Sequence, residues 1–188
     1  MPLRSHTAFR RLIVAGVAVL ALGAAVFGAS AANAAAQQGR SSQVVASVLD
    51  GLDAAVPVDG EAPADAASLP ALNREGVDVV GRLQAESVSL DVPVAALGGD
   101  ARLTPALANG REDELVVQGY AYQGQIGRIA VVPRGAAVTF TQMDGAVRRY
   151  VAVDTGELRG EFNDTFDLLV YYQDELGTKH WMGCVEAR

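Results

Sequence analysis

The sequence predicts a mostly β protein: a closed or nearly closed antiparallel β-barrel of about seven or eight strands, preceded by a signal peptide and a helix-plus-linker tether. Three observations carry this. From Val77 onward, short runs of β-branched and aromatic residues are bounded by Gly, Pro and Asp, which is how strands and turns alternate along a chain. Met143-Asp144-Gly145-Ala146 lies between two alternating runs, and Asp-Gly in that place is a strong hairpin signal. No long helical period separates the runs, which favours antiparallel pairing, because parallel strands need a crossover that is usually a helix.

The first 34 residues form the first element. Arg4, Arg10 and Arg11 precede an uncharged apolar run over residues 12–28, and small residues follow it to Ala32-Asn33-Ala34. A basic start, an apolar stretch and an A-x-A site are what the export machinery and its peptidase require, so residues 1–34 are expected to be a signal peptide cut near Ala34 or Ala36. The protein is then exported, either secreted or associated with the cell envelope. It meets the membrane only if the segment stays uncut as an anchor.

Residues 35–76 are expected to be a short helix and a flexible linker. Val44, Val45, Val48, Leu49 and Leu52 gather on one helical face. Pro57, Pro63 and Pro70 then punctuate an Ala-, Asp- and Ser-rich stretch that has neither helical nor strand period.

Residues 77–188 form the barrel domain. Strands are expected over residues 83–90, 114–120, 126–132, 137–142, 147–154, 166–173 and 180–187. In the hairpin, Val138, Phe140 and Gln142 share one face, with Thr139 and Thr141 on the other.

Charge narrows the partners. Fifteen Lys+Arg face twenty-two Asp+Glu, a net charge of −7. Lys179 is the only lysine, and beyond the first 34 residues the longest basic run is Arg148-Arg149. Phosphate binding draws on clustered cations, so nucleic acid is not an expected partner. The single cysteine, Cys184, allows no internal disulfide, and stability must come from burial.

Few residues offer chemistry. His180 and Cys184 have i, i+4 spacing, but on a strand that separates them by roughly 13 Å, too far for a shared zinc or a hydrogen bond. Glu112, Glu114, Glu161 and Asp164 stand at acidic loop positions and are weak calcium candidates, since the hard ion takes six or more oxygens and the spacing fits no calcium loop. No other metal or cofactor is expected. There is no G-x-S-x-G, no phosphate-cradling glycine loop and no H-E-x-x-H.

The order of the strand and turn patterns adds a family resemblance. Val88-Ser-Leu-Asp-Val-Pro-Val94, Leu115-Val-Val-Gln-Gly-Tyr120, Ile126-Gly-Arg-Ile-Ala-Val-Val-Pro-Arg-Gly135, Asp144-Gly-Ala-Val-Arg-Arg-Tyr-Val-Ala-Val153, Leu168-Leu-Val-Tyr-Tyr172 and Met182-Gly-Cys-Val-Glu-Ala187 follow one another as the strands of a sortase do. Sortases are exported cysteine transpeptidases built on an eight-stranded barrel, and they join surface proteins to the cell wall. The resemblance implies that fold, but it places Tyr120 at the family's histidine, Tyr172 at its cysteine and Met182 at its arginine. Acyl transfer of that kind needs a thiolate, a proton shuttle and a cation for the oxyanion, and these residues supply none of them.

The expected function is therefore that of a sortase-like pseudoenzyme, which holds a cell-wall peptide or glycan in a vestigial groove lined by Tyr120, Tyr122, Tyr172, Trp181 and Met182. Aromatic side chains with polar tips suit such binding. Two alternatives stand beside it. One is a cysteine transpeptidase or hydrolase with a rearranged site using Cys184, His180 and Arg188. The other is a structural or interaction module that meets an envelope protein.

Overall fold

Nine strands form among the described residues of the computed structural model, which are 32–52, 69–111, 113–122, 124–162, 165–174 and 176–187. They are β1 (Leu72–Arg74), β2 (Val77–Ala85), β3 (Leu90–Ala95), β4 (Ala106–Ala108), β5 (Leu115–Gly119), β6 (Ala137–Gln142), β7 (Val147–Leu158), β8 (Leu168–Gln173) and β9 (Lys179–Glu186). Their order is β1-β2-β3-β4-β5-β8-β9-β7-β6, and β2 also pairs with β6. That last pairing closes an eight-strand barrel, with β1 as an extra strand on β2. The mostly β barrel expected from the sequence is thus what the chain forms.

Alternation decides what the barrel encloses. Leu168, Val170 and Tyr172 of β8, Met182 and Cys184 of β9, Val138 and Phe140 of β6, and Tyr150 and Ala152 of β7 all belong to one buried cluster. The β6–β7 hairpin has the expected face. Val138, Phe140 and Gln142 are fully buried, and Phe140 pairs with Arg148 across the ladder. Gly145 takes φ 89° in the turn, where a left-handed residue is required, and the Asp144 carboxylate accepts from Ala146 N at 3.0 Å.

Several expected elements differ. Residues 126–132 are a turn and a 3-10 helix over Ile129–Val131, not a strand. Ile126, Ile129 and Val132 are all buried, and a spacing of three residues is the 3-10 repeat, which puts all three on one face. The single strand expected over 83–90 is split by a 3-10 turn at Glu86–Val88, with Ser89 left-handed at φ 52°, so that β2 and β3 form a hairpin. Strands β1 and β4 were not expected, and β1 falls inside the stretch read as linker; each has three residues. The barrel is also mixed rather than antiparallel, because β3–β4 and β5–β8 are parallel. The crossover from β5 to β8 is made by the 3-10 helix and the β6–β7 hairpin, so no α-helix is needed.

Residues 32–52 are helical (α1), and those from 38 onward belong to the same compact unit as the barrel. Val45 joins the main core, while Val48 and Leu52 pack with Val79 in a second cluster beside it. The apolar stripe read from the sequence is the buried one, on a longer helix than expected. Residues 1–31 and 53–68 lie outside the described residues, and with them most of the expected signal peptide and linker. Among the described residues no helix is long and apolar enough to cross a membrane.

Candidate functional site

The parallel register of β5 on β8 sets Gly119 beside Tyr172, and the antiparallel register of β8 on β9 sets Tyr172 opposite His180. Three strands therefore bring Tyr120, Tyr172 and His180 to one end of the barrel wall. The Tyr172 and His180 rings stack at 4.8 Å between centroids with 16° between planes. Glu157 of β7 is the register partner of His180, and its Oε1 lies 3.3 Å from the imidazole Nδ1. On the other edge of the ring, Asp174 Oδ2 lies 3.3 Å from Nε2.

Asp174 is itself held by the turn that follows β8. Its Oδ1 accepts from Thr178 N at 2.8 Å and Leu176 N at 2.9 Å. The Thr178 amide, with smaller help from His180 and Leu176, keeps this carboxyl below the usual carboxylate range. Burial pushes the Tyr172 phenol up, with Glu157 and Asp174 adding to the shift. The phenol thus stays protonated at neutral pH and can donate a hydrogen bond.

Tyr120 stands at the neighbouring strand end and stacks on Tyr122 at 5.4 Å and 22°. It stands beside Arg102, and its phenol oxygen holds that guanidinium more firmly charged. Burial raises the Tyr122 phenol. The backbone here is fixed by Gln125, a side chain only 1% exposed. Gln125 Oε1 accepts from Tyr120 N at 2.9 Å, while its Nε2 donates to Ser41 Oγ of α1 at 2.7 Å and to Arg102 O at 3.1 Å. Gly119 makes room for this turn, since a Cβ there would sit 2.9 Å from the Ile126 side chain.

Of the expected groove residues, then, Tyr120, Tyr122 and Tyr172 lie at this end, and His180 joins them. Met182 does not: it is fully buried in the core, two positions further along β9. Trp181 does not either. Neighbours on a strand face opposite sides, so Trp181 lies on the outer face, against Phe166 at 5.5 Å and over Gly156.

Cys184 shares a face with His180 but is fully buried, pairing in register with Leu168 and Ala152. Burial pushes its thiol up to about 12, the opposite of the acidified, exposed thiol that nucleophilic chemistry uses. Arg188, Glu112 and Asp164 lie outside the described residues. Glu114 and Glu161, the other two calcium candidates, line a cleft on the outer face. Among the described residues no three His, Cys, Asp or Glu side chains are grouped as a metal site.

Sequence reasoning missed Arg102, Gln125, Glu157 and Asp174. Each reaches the site through a register or turn contact with no local sequence mark. The groups at this end fall in two sets, Tyr120 and Tyr122 beside Arg102, and Tyr172 stacked on His180 between Glu157 and Asp174, and both sets carry rings and hydrogen-bonding groups.

No family model matches the sequence, and no curated protein matches it. Solved structures do match. Sortase A of Listeria monocytogenes superposes with a TM-score of 0.50 at 16% identity, over 58% of this chain and 88% of that one. Sortase C of Streptococcus pneumoniae gives a TM-score of 0.50 at 9% identity, over 81% of this chain and 89% of that one. Sortase A of Corynebacterium diphtheriae gives 0.50 at 10% identity, over 60% and 62%. At these identities the likeness is one of fold, and by fold this chain is a sortase-like β-barrel.

Proposed function

We propose that the protein is an exported cell-envelope protein that binds a peptide at the strand ends carrying Tyr120, Tyr172 and His180, and that it has no sortase-type transpeptidase activity. The observation that carries this reading is the place of the one thiol. Cys184 is buried in the barrel with its thiol pushed up to about 12, while Tyr172 stands at the strand end the resemblance gives to the family's cysteine. A protonated phenol there is a poor nucleophile but a good binding group: it offers a flat ring and a donor at low entropic cost. Tyr120, Tyr122, Arg102, Glu157 and Asp174 add further rings and both signs of charge, which suits a peptide with its alternating donors and acceptors. Export is supported by the basic, apolar, A-x-A order of the first 34 residues.

Titrating the labelled protein with a set of extended peptides tests the binding. Saturable shifts at Tyr120, Tyr122, Tyr172 and His180 are expected, and shifts confined to other faces would refute the site. Peptide cleavage and amide exchange, measured with and without a thiol alkylator, test the second part. Turnover that disappears on alkylation or in Cys184→Ala would make Cys184 the nucleophile and overturn it.

A further inference from the structure

A cleft of about 340 Å³ opens on the outer surface of the barrel, over β5 and β8. Tyr171 and Lys179 line it, and they point away from Tyr172 and His180 because adjacent strand residues face opposite sides. It is therefore separate from the strand-end site.

Its walls are held in place. Arg111 donates to Phe162 O at 3.2 Å, and Lys179 Nζ donates to Gly160 O at 2.8 Å. The Lys179 ammonium also lies 5.0 Å from the Phe162 ring centre and 5.7 Å from that of Tyr171. Both cations thus pin the loop through residues 160–162 across the cleft, which pre-forms it and spares a ligand that ordering cost.

What is left unmet points to the ligand. Glu114 Oε2 accepts from Arg111 N at 3.2 Å, but Glu114 Oε1 is buried and meets no hydrogen-bond partner among the described residues. A buried acceptor without a donor is costly, and because the Glu114 side chain lines the cleft, a turn of its carboxylate would bring that oxygen to a donating ligand. The Lys179 ammonium carries three donors and gives one to Gly160 O. The site thus wants a group that both gives and accepts a hydrogen bond, next to an aromatic wall of Phe162 and Tyr171, 5.4 Å apart, with Trp181 at 6.3 Å from Phe162. A hydroxyl does both, and a sugar ring joins hydroxyls at its edge to an apolar face. Glu114, Glu161 and the overall charge of −7 oppose an anionic ligand, while the cations are engaged with the loop. We infer that this outer cleft is a second binding site and that its ligand is a neutral glycan.

The experiment titrates the full chain, followed by NMR, with two neutral oligosaccharides, the β-1,4-linked N-acetylglucosamine tetramer and cellotetraose, and with tetralysine as the cationic arm. Saturable shifts at Phe162, Tyr171 and Lys179 with at least one tetrasaccharide are expected. Phe162→Ala and Glu114→Gln should each weaken that binding about tenfold or more, as loss of a buried contact does at a binding hot spot. Tyr122→Ala, at the strand-end site, should leave it unchanged, which keeps this result independent of the peptide reading. Phe162 is on a loop, so its variant reports even if Glu114→Gln fails to fold. No saturable shift with either sugar, shifts at the cleft with tetralysine alone, or binding indifferent to Phe162→Ala would each overturn the inference.

Discussion

Cys184 is the residue whose surroundings decide most about chemistry. Its thiol titrates near 9 when free of the fold and is pushed up to about 12 by burial within it. The folded value is the higher one, so stability is unaffected below about pH 9 and falls as the pH rises toward 12, by roughly 1.4 kcal/mol per unit. Chemical denaturation at pH 8 and at pH 10.5 should show that loss, and Cys184→Ala should reduce it. Part will remain, because burial also pushes the Tyr150 phenol up, with Arg148 opposing it. At neutral pH, Cys184→Ala should cost only about 1 kcal/mol, the usual order for deleting a small buried group. A thiol reagent should react with native protein at the rate of global opening; fast labelling of the folded state would contradict the burial.

At the scale of elements, two close approaches set the barrel wall and its strand-end turn. A Cβ on Gly81 would collide with the Phe140 ring and lie 2.9 Å from Thr141 O, so Gly81→Ala should destabilise by about 1–3 kcal/mol through overpacking, read as a lower denaturation midpoint with the fold retained. Gln125 ties α1, Arg102 and the Tyr120 turn by three hydrogen bonds. Gln125→Ala would leave Tyr120 N without that acceptor and should cost about 1–3 kcal/mol, with faster amide exchange at Tyr120 and in α1 than elsewhere. Uniform acceleration across all strands would show that the clamp is not local. The hairpin was legible in the sequence because Asp144-Gly145 and the alternation around it are local signals. Residues 126–132 depart from the strand that their β-branched composition suggests, because the spacing of Ile126, Ile129 and Val132 gives a 3-10 repeat. The three-residue strands β1 and β4 carry too little pattern to be seen. For the candidate site the sequence offers Tyr120, Tyr122 and Tyr172 as groove residues and His180 only as a companion of Cys184. His180 finds Glu157 by register and Asp174 through the turn after β8, and Trp181 and Met182 part company because strand neighbours face opposite ways.

For the whole molecule, closure comes from β2 pairing with both β3 and β6, and the end of β2 that starts the barrel is covered by α1. Val79 is fully buried only with Val48 and Leu52 against it, and Val45 reaches the main core. From residue 38 onward the helix is therefore part of the folded body. Cleavage near Ala34 or Ala36 would leave these contacts whole, since the packed positions begin at Ser41. A chain begun at residue 69 would lose them. Burying each such aliphatic side chain is worth about 1.5–3 kcal/mol, so removing Val45, Val48 and Leu52 together should cost on the order of 5 kcal/mol, a large part of the 5–15 kcal/mol that holds a domain of this size. Loss of the Ser41 contact should also free Gln125 and loosen the Tyr120 end of the site. Thermal unfolding of the two chains side by side checks this: a lower midpoint with broadened Tyr120 and Tyr122 resonances is expected, and equal midpoints would show that the barrel stands without the helix.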